Sequence, residues 1–450
     1  MKTDPPHILC VNPWIHDFSA FDFWAKPLGL LSLAALLRAS GARVSFLDCT
    51  SRFHPGLAAP GKIRWDGRGP FFKTPMPLPK EMADCLVEET RTFSRYGISP
   101  ELAEKDLKAL STPPDLVLVT SIMTYWASGV AETISLIKTA LPGVPVVLGG
   151  IYASLCTDHA KTYSGADEVV TGPGEEVIAD IVARYTGFFP DQIPVSDTLD
   201  HHPFPALDLQ HRIAYAPILT ARGCPFNCDY CASSFLDPRM RRRSPDHVFK
   251  EIMHWHDHYG VINFPFYDDA LLVGADRYAF PLLKDLIRAK KDLNFHTPNA
   301  LHIREISYKA ADLMFKAGFK TIRLGLETTI FGEARVHDAK VRQEEFERAI
   351  HHLKQAGFTP DQIGAYLLCG LPGQDLDEVA ASMDLVQGQG ILPVLAYYTP
   401  IPHTAMWDEA VAGARFDITA HPGLTNNSLF PCVLSRQDRT RISQLKSLRN

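Results

Sequence analysis

The residues with the plainest chemical meaning are Cys224, Cys228 and Cys231, in the run RGCPFNCDYC that begins at Arg222. Thiols gathered this tightly suit a metal centre, whereas a disulfide framework spreads its cysteines through a small secreted chain. Zinc knuckles pair one C-x2-C unit with a distant second pair. No second pair exists, because Cys10, Cys49, Cys85, Cys156, Cys369 and Cys432 stand far apart. A [4Fe-4S] cluster has four irons, and full protein ligation takes four thiolates. Three local cysteines therefore leave one iron open to another ligand.

Other residues carry weaker chemistry. Cys369, where a strand meets its loop, could donate a hydrogen atom or bind substrate, although a buried apolar thiol is the common reading of such a position. Arg239 and the run from Arg241 to Arg243 read first as a solvated basic face, and second as a grip on a carboxylate or phosphate.

Two series of elements must position these groups. In the first third of the chain, apolar runs alternate with helical patterns, as in a parallel sheet built from βαβ units. The spacing predicts strands at 7–13, 43–49, 116–121, 144–150 and 168–172, which together read as a flavodoxin-like doubly wound α/β sheet. Such a sheet binds its ligand beyond the carboxyl ends of the strands, where strand order reverses. An insertion at 51–114, rich in Pro and Gly at its start, reads as a functional lid or docking segment at the junction of the domains. Residues 187–216, with four prolines and no sustained period, read as a linker.

The second series predicts strands at 217–223, 263–269, 294–300, 321–327, 363–370 and 393–400, with intervening helices that stop at Gly260, Gly318, Gly357 and Gly390. These units read as a partial (β/α)6 barrel, in which chemistry collects at the C-terminal ends of the strands. On that geometry Asn299, at the end of the third strand, is a candidate ligand contact. The expected organisation is a first domain at 1–186, the linker, a barrel at 217–410 and a short extension at 411–450.

The cysteine run and the βα units behind it resemble the radical S-adenosylmethionine (SAM) superfamily, over about residues 215–410. The resemblance implies that SAM chelates the open iron through its amino and carboxylate groups, and that the reduced cluster splits a carbon–sulfur bond to give methionine and a 5'-deoxyadenosyl radical. It implies an electron donor of low potential, such as ferredoxin or flavodoxin. It also implies roles for residues in this chain: Tyr230 against the adenine, Asp268 or Asp269 at the SAM amino group, Glu327 at the ribose hydroxyls, and Gly370 in the loop that ends the fifth strand. Many relatives have Gly where His403 stands.

Residues 5–185 resemble the cobalamin-binding domain that precedes the barrel in one large class of these proteins. The resemblance rests on VNP ending at Pro13, VLGGIY ending at Tyr152 and VTGPGE ending at Glu175. It implies a corrinoid site at Pro13, Trp14, Ser121, Gly149, Gly150, Tyr152, Gly172 and Gly174. The wider cobalamin pattern D-x-H-x-x-G places a cobalt-ligating His where Trp14 stands, and an indole N–H is a donor only. His16, two residues on, is expected to be a bystander, so no lower axial His is expected.

Together the resemblances imply an enzyme that uses SAM and cobalamin for methyl transfer to an unactivated carbon. Two other classes remain open at this point. One is a methylthiotransferase-like enzyme, since Cys10, Cys49 and Cys85 mimic a second cluster. The other is a non-catalytic cobalamin or SAM sensor. The composition bounds the choice: 46% hydrophobic and 21% charged residues describe a globular chain. A net charge of −6 argues against a surface built on phosphate contacts, so a nucleic-acid partner is not expected. The N-terminus lacks a signal-peptide pattern and no apolar run reaches bilayer length, so a cytoplasmic chain without a membrane span is expected.

Overall fold

A computed structural model describes residues 5–189, 199–331 and 341–447. The chain divides into two units: Met1–Ala214 with Asp417–Asn426, and Tyr215–Phe416 with Asn427–Asn450.

The first unit is built on a parallel sheet of β1 (His7–Asn12), β2 (Arg43–Asp48), β3 (Leu116–Val119), β4 (Val146–Leu148) and β5 (Glu168–Val169), in the order β2-β1-β3-β4-β5. The central strand shows why the sequence folds this way. Ile8 and Cys10 of β1 enter one apolar core, with Leu30, Ala34 and Leu37 of the helix Leu28–Ala39. Leu9 and Val11 enter the other, with Val130, Ile134 and Ile137 of the helix Ala127–Ala140. A strand apolar on both faces is what a doubly covered parallel sheet requires. Strand order reverses between β1 and β3.

The insertion at 51–114 contributes Lys73–Pro75 and Ser94–Tyr96 to a small antiparallel sheet with Ile15–Asp17. It is held by a buried guanidinium. Arg52 pairs with Asp22 at 2.8 Å and donates to the carbonyls of Lys62 and Gly67 at 2.7 and 2.8 Å. A buried charge is tolerated only when paired and hydrogen-bonded in this way. Trp65 and Phe72 of the insertion are exposed.

Of the segment expected as a linker, 190–198 lies outside the described residues. From Leu199 onward the chain packs on the first unit: Leu207 is buried, the Ala206 N–H donates to the Leu31 carbonyl at 2.9 Å, and Asp208 pairs with Arg38. Asp417–Asn426 returns to the same unit as a strap. Asn426 donates to buried Asp17 at 2.8 Å, and the His421 ring meets His159 edge-on at 5.1 Å.

The second unit holds a parallel sheet in sequential order: β6 (Asn263–Pro265), β7 (Asn294–His296), β8 (Phe319–Glu327), β9 (Ile363–Cys369) and β10 (Leu392–Tyr397). The expected first strand shrinks to one bridge, Ile218 with Phe266. The Ala216 and Ile218 N–H groups still donate to the Asn263 and Pro265 carbonyls at 3.0 and 2.8 Å, but the Thr220 N–H leaves the ladder for the Asp268 carboxylate at 3.0 Å. Residues Ala221–Arg222 then pair antiparallel with Arg241–Arg242. The helix-ending glycines behave as expected: Gly260, Gly318 and Gly357 are left-handed caps with φ of 67°, 102° and 111°.

The basic run is not a solvated face. Arg243 is buried against Glu251 at 2.5 Å and donates to the Leu219 carbonyl, while Arg242 lies over the Tyr278 ring and donates to the Val273 carbonyl. Its charges fasten the start of the barrel, just past the point where the Thr220 N–H leaves the ladder.

Candidate active site

In the second unit the three cysteines lie on the loop after Arg222. Gly223 opens it with φ of 77°, and a Cβ there would meet the carbonyls of Asp237 and Arg239 at 2.9 Å, so the turn requires glycine. All three cysteines are half-buried and none is in a disulfide. Burial pushes the Cys224 thiol up, the Phe226 N–H opposes this, and the charges of Asp269, Cys228 and Cys231 push it further up. Three thiolates and a carboxylate gathered so closely repel one another, and a cationic iron–sulfur core removes that penalty. The spacing also fits a cluster better than one ion. Among the described residues no three His, Cys, Asp or Glu side chains converge on a single metal position. One zinc would draw its thiolates within about 4 Å of each other, whereas each thiolate of a [4Fe-4S] cluster has its own iron.

Neighbouring strand ends buttress this loop. His403 adopts φ of 67°, the conformation a glycine takes easily, and its ring stacks on Phe235 at 4.2 Å. Met406 donates its N–H to the Asp229 carbonyl at 3.1 Å. The loop after the sixth expected strand thus keeps the glycine-like shape with a histidine, and uses the side chain as a brace.

Asp268 and Asp269 have separate fates. Asp268 is buried and accepts from the Thr220 N–H and hydroxyl, and burial pushes its carboxyl up to about 6 against those hydrogen bonds. It holds the frame. Asp269 faces the cysteine loop, where it accepts from the Ser233 hydroxyl at 3.0 Å and lies 3.4 Å from the Asn299 amide, which also donates to the Tyr267 carbonyl at 2.7 Å. Ser233 in turn sits 3.2 Å from the Cys231 sulfur.

Glu327 ends β8 with φ of 66°, beside a register shift against β9. A left-handed conformation at a non-glycine residue is a strain that collects at functional sites. Gly370 has φ of 90°, and its N–H is taken by the Gln374 side chain at 2.8 Å, which also donates to the Leu368 carbonyl. Tyr230 is half-buried on the cysteine loop. Cys369 is fully buried, and burial pushes its thiol up to about 12, so it is a poor nucleophile. The sequence alone did not single out Ser233 or Gln374. A serine two residues past the last cysteine was the available signal.

In the first unit a small cleft opens at the strand-order reversal, lined by Asn12, Pro13, Trp14, Thr50, Ser121 and Trp126 among others. Gly149 and Gly172 leave their α-carbon faces open: a Cβ on Gly149 would meet only the Val170 carbonyl at 4.0 Å, and one on Gly172 nothing within 4 Å. The open glycine faces leave room for a ligand to lie across the strand ends.

The other glycine-motif residues serve packing. A Cβ on Gly150 would strike the Ser121 carbonyl at 2.4 Å, and one on Gly174 would strike Leu33 at 2.8 Å. Ser121 donates to the Gly149 carbonyl at 2.8 Å, and Tyr152 is buried with its hydroxyl 2.7 Å from His159. Trp14 lines the pocket but its N–H goes to the Ile98 carbonyl at 2.8 Å. His16 is buried, with its Nε2 2.7 Å from Glu132 and its Nδ1 3.1 Å from Ser128. Neither stands ready to ligate a metal.

The three cysteines expected to mimic a second cluster do not converge. Cys10 and Cys49 belong to the cores on opposite faces of the sheet, and Cys85 ends the helix Lys80–Cys85. Burial pushes the Cys10 thiol up to about 12.

Comparisons with known proteins identify two domains. The family model described as the Radical SAM superfamily matches residues 218–386, and that of the B12 binding domain matches 99–182. The chain is 23% identical to cytidylyl-2-hydroxyethylphosphonate methyltransferase of Streptomyces wedmorensis, over 85% of this chain and 77% of that protein. Its fold is shared with the radical SAM methyltransferase TsrM from Kitasatospora setae, solved with cobalamin and a [4Fe-4S] cluster, at TM-score 0.66 and 17% identity, over 91% of this chain and 78% of that one. It is shared too with the cobalamin-dependent radical enzyme OxsB, at TM-score 0.60 and 14% identity, over 99% and 62%. No described helix is long and apolar enough to cross a membrane. The chain carries a radical SAM domain and, ahead of it, a B12-binding domain.

Proposed function

We propose that the chain is a cobalamin-dependent radical SAM enzyme that transfers a methyl group to an unactivated carbon of a small substrate. The observation that carries the reading is the thiol loop with Asp269, Ser233 and Asn299 at one mouth of the barrel. The methyltransferase relative supports the reaction class. When bound, the cluster supplies one electron to the sulfonium of SAM and the corrinoid supplies a methyl group.

The protein's own part is holding and shielding. Cys224, Cys228 and Cys231 give up their protons and ligate three irons. Asp269, oriented by Ser233 and Asn299, would accept from an N–H of the SAM amino group, while Glu327 would accept from the ribose hydroxyls. Tyr230 and the backbone at Gly370 flank the adenine. Pro13, Ser121 and the open faces of Gly149 and Gly172 receive the corrinoid. A ferredoxin or flavodoxin supplies the electron, in the cytoplasm, where thiols stay reduced.

The test is anaerobic reconstitution with cluster and corrinoid, then chemical reduction in the presence of SAM. One corrinoid per chain and release of 5'-deoxyadenosine are expected. Release of 5'-deoxyadenosine by a protein that retains no corrinoid would refute the methyl-transfer reading and leave the radical SAM assignment intact.

A further inference from the structure

We propose that His302 is a positioning residue for the iron–sulfur cluster, donating a hydrogen bond to the Cys224 sulfur and thereby raising the reduction potential. The inference rests on the cluster reading above. His302 is 78 positions away from Cys224 in sequence, yet its Nε2 lies 4.0 Å from the Cys224 Sγ, within reach of an N–H···S contact when the ring carries its proton there.

Both the ring and the backbone of His302 are held. The ring packs on Phe226 with centroids 4.0 Å apart and planes 37° apart. On one side of His302, Leu301 donates its N–H to the Arg323 carbonyl at 2.8 Å and accepts from the Gly325 N–H at 3.0 Å, which ties it to the edge of β8. On the other side, Ile303 is buried. The imidazole is therefore delivered to the sulfur by a fixed piece of the barrel, with little freedom to lose on engagement.

Two further donors near these sulfurs come from the cysteine loop or the residues just after it. Phe226 gives its N–H toward Cys224, and Ser233 approaches Cys231 at 3.2 Å. His302 reaches the loop from a different strand end. Reduction adds one negative charge to a cluster and its thiolates, and an N–H dipole aimed at a thiolate sulfur stabilises the reduced state more than the oxidised one. A neutral ring suffices for this.

The experiment compares wild type, His302→Gln and His302→Phe after anaerobic reconstitution, measuring iron content and the midpoint potential of the cluster by spectroscopic redox titration. About four irons per chain are expected in all three. The Phe variant should reduce about tenfold less favourably, a fall of about 59 mV for one electron, and the Gln variant should fall between it and wild type. Equal midpoints in the three proteins overturn the proposal. Should His302→Phe fail to assemble its cluster, Phe226→Leu, which removes the ring that holds His302, carries the test: a lowered midpoint at full iron content supports the proposal and an unchanged one overturns it. Wild type that holds no iron would instead refute the cluster reading beneath it.

Discussion

The strand ends of the two units carry similar-looking signals and use them differently. In the first unit most of the motif residues turn inward: Gly150 is required by the Ser121 backbone, Gly174 packs against the Leu33 side chain, and Tyr152 and Trp14 are core side chains with satisfied donors. In the second unit polar groups stay at the mouth, and two non-glycine residues, Glu327 and His403, hold left-handed backbone there. Glycine at a strand end can answer a packing need or a ligand, and the side chains around it decide which. A thiol triad has few structural uses.

The largest effect expected from breaking this contrast is all-or-none. Cys224→Ala, Cys228→Ala or Cys231→Ala should each abolish iron binding after anaerobic reconstitution. Replacing Cys10, Cys49 and Cys85 together should leave about four irons per chain. Half the iron lost in that triple variant would revive a second cluster.

Next comes a pair of neighbouring glycines. Gly150→Ala should destabilise the first unit by about 2–5 kcal/mol, through a strained backbone and a clash with a carbonyl. Gly149→Ala should leave thermal stability nearly unchanged but weaken corrinoid retention. If both variants behaved alike, the division between packing and ligand glycines would fail.

A third comparison separates the adjacent aspartates. Asp268→Ala leaves the Thr220 N–H without its acceptor and should lower the melting stability of the barrel by about 1–3 kcal/mol. Asp269→Ala should instead weaken SAM binding by about 1–3 kcal/mol, with little change in stability. Calorimetry of both variants, with titration of SAM, reads the two effects independently.

The smallest effect concerns the His16–Glu132 pair. Burial alone would raise the Glu132 carboxyl, but hydrogen bonds from His16 and Arg95 outweigh it and bring it from 4.5 to about 2. A depressed carboxyl contributes stability above pH 4.5 that is lost as pH falls toward 2. After allowance for its partial exposure, the contribution is about 1–2 kcal/mol. Glu132→Gln should flatten the acid limb of the stability curve. His16→Ala should do the same, and leave the cobalt(II) resonance of the bound corrinoid unaltered. A nitrogen splitting that disappears in His16→Ala would make it a ligand after all.

What the sequence disclosed follows from how local each signal is. The cysteine loop is legible because its three sulfurs come from one short run, and the parallel sheets because their strands are apolar on both faces. Asp268 and Asp269 could not be told apart as residues, since successive side chains at a strand end point to opposite sides and nothing local says which side faces Thr220. The same limit hid His302, whose partner lies on another element. Arg243 misled for a related reason: a basic run is ordinarily solvated, and its buried partner Glu251 is visible only once the helix Pro245–Tyr259 has docked.

The strap at Asp417–Asn426 bears on how this protein can be made and cut. A gene fragment that stops at Ala214 encodes a first unit without Asn426, so buried Asp17 loses one of its hydrogen-bond donors, and without His421, so the apolar surface around His159 and Met82 is uncovered. During synthesis the ribosome must deliver nearly the whole barrel before the B12-binding unit can close. Halves expressed separately should meet as a protein meets a peptide ligand, with the strap as the peptide, so a dissection that respects the folding units has to carry that short segment along.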